Sequence, residues 1–199
     1  MMDKKTIDTY NELAKEYDEE TIDFWERFPR TFLDKFIASV KKGGKVLDVG
    51  SGPGRDGLLL KEAGFDVTCL DASAAMIELS KQKGLESVLG DFNELPFEDG
   101  TFDGVWAYTS LLHVPKSEVE KPLREIRRVL KFSGIFSLGL MEGDKELYRE
   151  SSGVKKERWF SFYTKEEIEQ LLDRNGFEVI YFEKFNTGKD YLNYVSRKK

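Results

Sequence analysis

The stretch Lys45–Gly57, KVLDVGSGPGRDG, constrains this chain more than any other. Val46, Leu47 and Val49 read as a short buried strand, interrupted only by Asp48. Glycines then alternate at Gly50, Gly52 and Gly54, and a helical pattern begins at once with Asp56, Leu58, Leu59 and Leu60. A strand that turns through glycines directly into a helix brings bare backbone N–H groups close to whatever binds there. Such a turn suits a nucleotide-type cofactor and marks the expected functional centre.

Downstream, strand and helix patterns alternate. Phe65–Leu70 reads as a second strand ending in Asp71, and Ser73 caps a helix carrying Met76, Ile77 and Leu79. Leu85–Leu89 and Phe102–Tyr108 read as strands three and four. Ser117 with Glu120 forms a capping-box pattern, although Pro122 also suits a helix start. Leu123, Ile126, Val129 and Leu130 give that helix a buried stripe, Ser133–Gly134 closes it, and Ile135–Met141 is the fifth strand. This alternation implies an α/β fold with parallel strands and helices on both faces. Thr164 and Glu167 cap a last helix reaching Asn175. Phe177–Phe185 and Tyr191–Arg197 then read as an antiparallel hairpin across a short turn.

Ahead of the first strand, Ile7, Tyr10, Leu13, Ala14 and Tyr17 share one helix face. A second helical pattern runs from Ile22 to Val40, with Phe24, Phe28, Phe32 and Phe36 at four-residue steps and Pro29 placed to kink or split it. This N-terminal cap must bury its aromatic face, either as core packing or as a lid with Tyr10 or Tyr17 closing over a ligand. The expected organisation is a single domain. It comprises a cap (1–42), a cofactor-binding core (43–141), an insert on the substrate side (142–163) and a last helix with its hairpin (164–199).

With 199 residues, 40% of them hydrophobic and 34% charged, the chain has the composition of a globular domain able to bury its own core. Its 31 Lys and Arg against 37 Asp and Glu leave a net charge of −6, which disfavours nucleic acid as a partner. One cysteine, Cys69, excludes an intrachain disulfide. The start, MMDKKTIDTY, lacks the apolar core of a signal peptide, and no apolar run approaches the ~20 residues that span a bilayer. The expectation is a cytoplasmic protein, with no membrane partner and no metal.

In an open sheet of this kind ligands bind beyond the carboxyl ends of the strands. The residues to inspect are therefore Gly50–Gly54, Asp71, Asp91 and the segment from Tyr108 to His113. Asp71 ends strand two at about the ~20-residue spacing of an acid that accepts from ribose hydroxyls. The glycine spacing is G-x-G-x-G, with Pro53 inside the turn. The large cation Arg55 stands where the dinucleotide fingerprint G-x-G-x-x-G needs its third glycine. No second half of the chain offers to hold a nicotinamide, so these points count against NAD.

The same residues resemble the class I S-adenosylmethionine-dependent methyltransferases, in particular the small single-domain, type 11-like group with an LPF motif. VLDVGSGPG is similar to the family's first motif, CLDAS to its second, and GDFNELPFEDGTFDGVW to its third and fourth. RRVLKFSGIFSLGL resembles the helix leading into strand five, with Ser133–Gly134 where the family usually has Pro-Gly or Gly-Gly. FYTKEEIEQLLDRNGFEVI is similar to the final helix and sixth strand. The resemblance covers about Tyr10 to Val195. It implies a Rossmann-like doubly wound sheet of seven strands with the last antiparallel, and S-adenosyl-L-methionine as cofactor. It also implies roles for matching residues. Gly50, Ser51 and Gly52 approach the methionine part and Asp48 steers its amino group. Asp71 binds ribose, while Ala72 and Met76 line the adenine, although core packing is an equal reading for Met76. Asp91 accepts from the adenine amino group beside Phe92. Tyr108 borders the methionine carboxylate and the methyl-transfer channel.

Methyl transfer needs a base only if the acceptor must lose a proton. His113, the one histidine, is a candidate base at the mouth of the site, or else a structural hydrogen-bonder. Arg55 beside Asp56 either meets a ligand or carboxylate, or serves the helix N-terminus, where its charge is unfavourable. His113, Tyr108 and Arg55 are thus the expected catalytic residues. The acceptor pocket is expected from Tyr10 and Tyr17 in the cap and from Arg158 and Trp159 in the insert. Phe160 and Phe162 fit an edge strand covering the core. Aromatic walls with one cation suit a small planar or anionic acceptor. The expected function is methyl transfer to a small molecule by a monomer or homodimer. The alternatives are an NAD(P)-dependent oxidoreductase or a non-catalytic protein that binds S-adenosylmethionine.

Overall fold

The computed structural model describes residues 3–151 and 154–199. Its centre is a seven-stranded sheet in the order β3-β2-β1-β4-β5-β9-β8. These strands are β1 (Lys45–Val49), β2 (Asp66–Asp71), β3 (Glu86–Leu89), β4 (Phe102–Tyr108), β5 (Leu130–Met141), β8 (Phe177–Asn186) and β9 (Asp190–Lys198). β1 to β5 pair in parallel, whereas β9 runs antiparallel to both its neighbours, β5 and β8. The order reverses between β1 and β4, so a crevice opens above their carboxyl ends.

Strand alternation sorts the central side chains onto two cores. Leu47, Val49, Val105, Ala107, Phe136 and Leu138 bury on one face, against α7 (Glu120–Val129) and α8 (Lys165–Arg174). Val46, Trp106 and Ile135 bury on the other. There they meet α4 (Thr31–Ser39), through Phe32, Leu33 and Phe36, and α5 (Arg55–Glu62), through Leu60. Asp48 and Tyr108 belong to this second face but lie at the upper ends of their strands, where the core gives way to the crevice.

The helix ends follow local chemistry. Thr164 and Glu167 form the full capping box at the start of α8. Ser73 Oγ accepts from the Met76 N–H at 3.2 Å and opens α6 (Ala74–Gln82). The expected capping box at Ser117 does not form. α7 begins at Glu120 without a side-chain cap, because residues 116–119 turn too tightly to present Ser117 as its first residue. Ser133–Gly134 does not close that helix either. α7 stops at Val129 and β5 starts at Leu130, and a bulge between the registers Phe102↔Leu130 and Gly104↔Ile135 absorbs Ser133 at φ 58°.

The cap is more broken than its periodicity suggests. It forms α1 (Lys4–Glu12), α2 (Ala14–Thr21), the single turn α3 (Phe24–Arg27) and α4. Pro29 splits the last two by holding Phe28 extended at φ −130° and ψ 152°. The insert adds a separate antiparallel hairpin, β6 (Glu146–Ser151) with β7 (Val154–Ser161), and does not extend the main sheet. α1 docks on β7. The Trp159 N–H donates to Thr6 Oγ1 at 2.9 Å and Thr9 Oγ1 donates to the Glu157 carbonyl at 3.3 Å. Asn11 Oδ1 accepts from Ser73 Oγ and from the Ala75 N–H. The cap thus joins the hairpin to the start of α6 and roofs the crevice. No helix among the described residues is long and apolar enough to cross a membrane.

Candidate active site

Above the switch point lies a cavity whose lining reads across the strand ends. β1 and its glycine turn contribute Asp48, Gly50, Ser51, Gly52, Pro53 and Arg55, with Asp56 behind them; β2 contributes Asp71. Met76, Phe92, Tyr108, Thr109, Ser110 and His113 continue the wall, and Tyr10, Tyr17 and Thr21 close it from the cap. The turn is pinned by the Gly50 and Ser51 N–H groups, which donate to the Leu70 carbonyl at 2.7 and 3.1 Å. Gly50, at φ 69°, passes so close to the next loop that a Cβ there would stand 2.3 Å from Ser110 Cβ.

Three buried carboxyl groups face this cavity. Asp71 Oδ2 accepts from the Gly52 N–H at 2.9 Å and Oδ1 from the Ser73 N–H at 2.8 Å. Burial still raises its pKa against these donors and that of Ala72. Asp56 binds four donors: Trp25 Nε1 at 2.7 Å, Trp106 Nε1 at 2.9 Å, and Arg55 Nε and Nη2 at 2.6 and 3.1 Å. Burial pushes its pKa up, but the Arg55 charge and these bonds outweigh that and hold it below the usual range. For Asp48 the Arg55 charge and the Gly57 N–H help too little. Burial first, then the negative charge of Asp56, raise it well above the ordinary value, and Oδ2 is buried with no partner. Tyr108 Oη and Ser110 Oγ are likewise buried without a partner. An acidic cavity with three orphaned polar atoms fits a ligand carrying both a positive charge and hydroxyl or amine groups.

A second, larger chamber adjoins the first and shares Tyr10, Tyr17, Thr21, Arg55, Tyr108, Thr109 and His113 with it. Between the two runs a chain of hydrogen bonds. His113 Nδ1 lies 2.6 Å from the Trp159 carbonyl, which can only accept, so that nitrogen carries the proton. Nε2 then accepts from Tyr10 Oη at 2.8 Å, and Tyr10 Oη accepts from Arg158 Nη1 at 2.6 Å. Burial, and then the Arg158 charge, bring the His113 pKa down to about 3 despite the bond to Trp159. Both ring nitrogens are occupied and the imidazole is neutral.

Of the residues expected at the site, Asp48, Gly50, Ser51, Gly52, Arg55, Asp71, Met76, Phe92, Tyr108, His113, Tyr10 and Tyr17 line the inner cavity, and Arg158 lines the outer. Ala72 packs against the core instead, and Asp91 Oδ1 accepts from the Asn93 N–H and Nδ2 in the turn after β3. Trp159 requires correction. Alternation along β7 sends Arg158 and Phe160 into the chamber and turns the indole away, where Nε1 donates to Ser161 Oγ and the ring meets Tyr148 edge-on at 5.2 Å. Trp159 serves the site through its backbone alone. Phe160 is buried in the core as expected, and it also supplies an aromatic wall to the outer chamber. Thr109 and Ser110, within the segment expected to meet a ligand after strand four, do line the cavity; only the left-handed backbone of Thr109, at φ 54°, had no sequence signal. Lys189 and Tyr191, also in the chamber wall, come from the turn before β9 and from β9 itself.

A doubly wound sheet with a glycine turn and an acid at the end of its second strand defines a nucleotide-cofactor domain. The comparisons narrow this. Residues 47–138 match the family model of a methyltransferase domain. The chain is 30% identical over 167 residues to demethylmenaquinone methyltransferase of Thermotoga maritima, spanning 68% of this chain and 70% of that protein. It is 37% identical over 128 residues to sarcosine/dimethylglycine N-methyltransferase of Aphanothece halophytica, covering 60% of this chain and 45% of that one. Several curated relatives are matched over less than half of their length. A similar fold is that of the 1,6-didemethyltoxoflavin-N1-methyltransferase of Burkholderia thailandensis, solved with 1,6-didemethyltoxoflavin and S-adenosylhomocysteine bound. Its TM-score is 0.76 at 23% identity, over 97% of this chain and 88% of that one. The chain belongs to the class I S-adenosylmethionine-dependent methyltransferases.

Proposed function

We propose that this protein transfers a methyl group from S-adenosylmethionine to a small-molecule acceptor. The observation that carries the reading is the pair of adjoining cavities, an acidic inner one and an aromatic outer one sharing the wall Tyr10–Tyr17–Tyr108–His113. Asp71 holds the ribose hydroxyls, the Gly50–Gly52 turn admits the methionine part, and Asp48 faces its ammonium group, a donor for its unpartnered Oδ2. Met76 and Phe92 flank the adenine. When bound, the cofactor supplies a methyl group activated by a sulfonium.

The chain's own task is alignment and exclusion of water. Tyr10 and Tyr17 close the cavity from above. Tyr108 presents its hydroxyl at the junction with the outer chamber, and its ring lies against Tyr191 at 6.2 Å. Arg55, clamped on Asp56 and lying over Phe24 at 4.9 Å, is a positioning residue that fixes the wall between the chambers. His113 orients Tyr10. As a neutral imidazole whose lone pair accepts from Tyr10, it is poorly suited to be the general base.

Calorimetric titration with S-adenosylmethionine and S-adenosylhomocysteine, with NADH as control, tests the reading. Both sulfur compounds are expected to bind, and Asp71→Ala to weaken them at least about tenfold through loss of charge-assisted hydrogen bonds. Binding of NADH alone would overturn the proposal in favour of an oxidoreductase. Binding without methyl transfer to any acceptor of a broad small-molecule panel would leave a non-catalytic binding protein.

A further inference from the structure

The two chambers carry opposite charge. The inner one sets the carboxyl groups of Asp48, Asp56 and Asp71 against the guanidinium of Arg55 alone. In the outer one the balance is reversed. Arg27 and Arg55 are neutralised there by Asp23 and Asp56. Glu20 is the one acid in the lining and lies near Lys189, whose Nζ donates to Ser151 Oγ at 3.0 Å. Arg158 is left over. It is 3% exposed, forms no ion pair among the described residues, and has a buried Nε without a hydrogen-bond partner.

Burying a guanidinium without a counter-anion is costly. Here the cost is only partly offset, by one hydroxyl and two rings: Tyr10 Oη accepts from Nη1, and the Tyr10 and Phe160 ring centroids lie 5.0 and 5.3 Å away. Arg149 stands close by, 5.5 Å from the same Phe160 ring. Burial and the charges of Arg149 and Arg158 together depress the Lys189 ammonium, so these cations share one field. The fork of an arginine matches a carboxylate or phosphate through paired hydrogen bonds.

We infer that the methyl acceptor is a small planar anion whose carboxylate or phosphate pairs with Arg158, with Lys189 adding charge and Phe160 a wall for its body. This deepens the methyltransferase reading, and it rests on that reading only for the word acceptor. Anion binding itself is measured separately. Protein saturated with S-adenosylhomocysteine is titrated with benzoate, phenyl phosphate and the neutral isostere benzamide. One or both anions are expected to bind at least about tenfold tighter than benzamide, and the stronger of the two identifies the group recognised. Arg158→Gln should remove that preference, and Lys189→Gln should reduce it. If Arg158→Gln fails to fold, Arg158→Lys, which keeps the charge and loses the fork, should weaken the anions more than benzamide. Equal affinity for benzamide and the anions in the wild type, no binding of either anion, or a preference untouched by every variant overturns the inference. The prior titration with S-adenosylhomocysteine alone reports on the cofactor site, so failure there is distinguishable from failure here.

Discussion

At the residue scale, His113 is set by its neighbours and not by its own chemistry. An imidazole donating to a backbone carbonyl and accepting from a tyrosine has no nitrogen left for a substrate proton. Its depressed pKa also makes it a stability device with a definite sign. Above pH ~6.5 it is neutral in both the folded and the unfolded chain. As pH falls from there toward about 3, the unfolded chain takes up a proton that the fold refuses, so stability is lost across that window. Urea denaturation of wild type and His113→Gln should therefore show the wild type's advantage shrinking by about 2 kcal/mol between pH 7 and pH 5. Parallel curves would mean that His113 protonates freely in the fold. Gly50→Ala tests the opposite kind of residue, one chosen for absence of bulk. A Cβ 2.3 Å from that of Ser110, at φ 69°, must displace the turn. The expected outcome is loss of S-adenosylhomocysteine binding in calorimetry.

At the scale of elements, the parts legible in the sequence are those whose cause is local. The strand–glycine–helix turn, the acids ending β2 and β3, the Thr164 capping box and the terminal hairpin all follow from neighbouring residues, and all appear. Thr164→Ala should cost about 1 kcal/mol in chemical denaturation, the usual weight of an N-cap, with cofactor affinity unchanged. What escaped was set by distant contacts. The face of β7 that meets the site is decided by register against β6 and by α1. The indole of Trp159 and the guanidinium of Arg158 therefore could not be assigned to opposite sides from composition alone. The bulge at Ser133 and the left-handed Thr109 escaped for a related reason: each is imposed by neighbouring strands against the residue's own preference.

At the scale of the whole molecule, the site is a floor and a roof from separate parts of the chain. The floor is the sheet's upper edge, and the roof is α1 laid on the β6–β7 hairpin, with α2 beside α6. Tyr10 is the seam, bonded to the hairpin through Arg158 and to the floor through His113. Hydrogen exchange should consequently show α1, α2 and β7 gaining protection together when S-adenosylhomocysteine binds, with the centre of the sheet little changed. Protection gained in α1 without β7 would mean that the two parts of the roof open independently.

The inner wall is drawn mainly from one uninterrupted run, Asp48 to His113, closed by Tyr10, Tyr17 and Thr21, whereas the outer wall gathers residues from Tyr10 to Tyr191 across the cap, the hairpin and the last turn. This division has an evolutionary consequence. Drift in the hairpin or in the Thr187–Lys189 turn can retune what enters the outer chamber while the run that holds the common donor stays intact. A lineage built this way can exchange acceptors by loop substitution and inherit its donor chemistry unchanged.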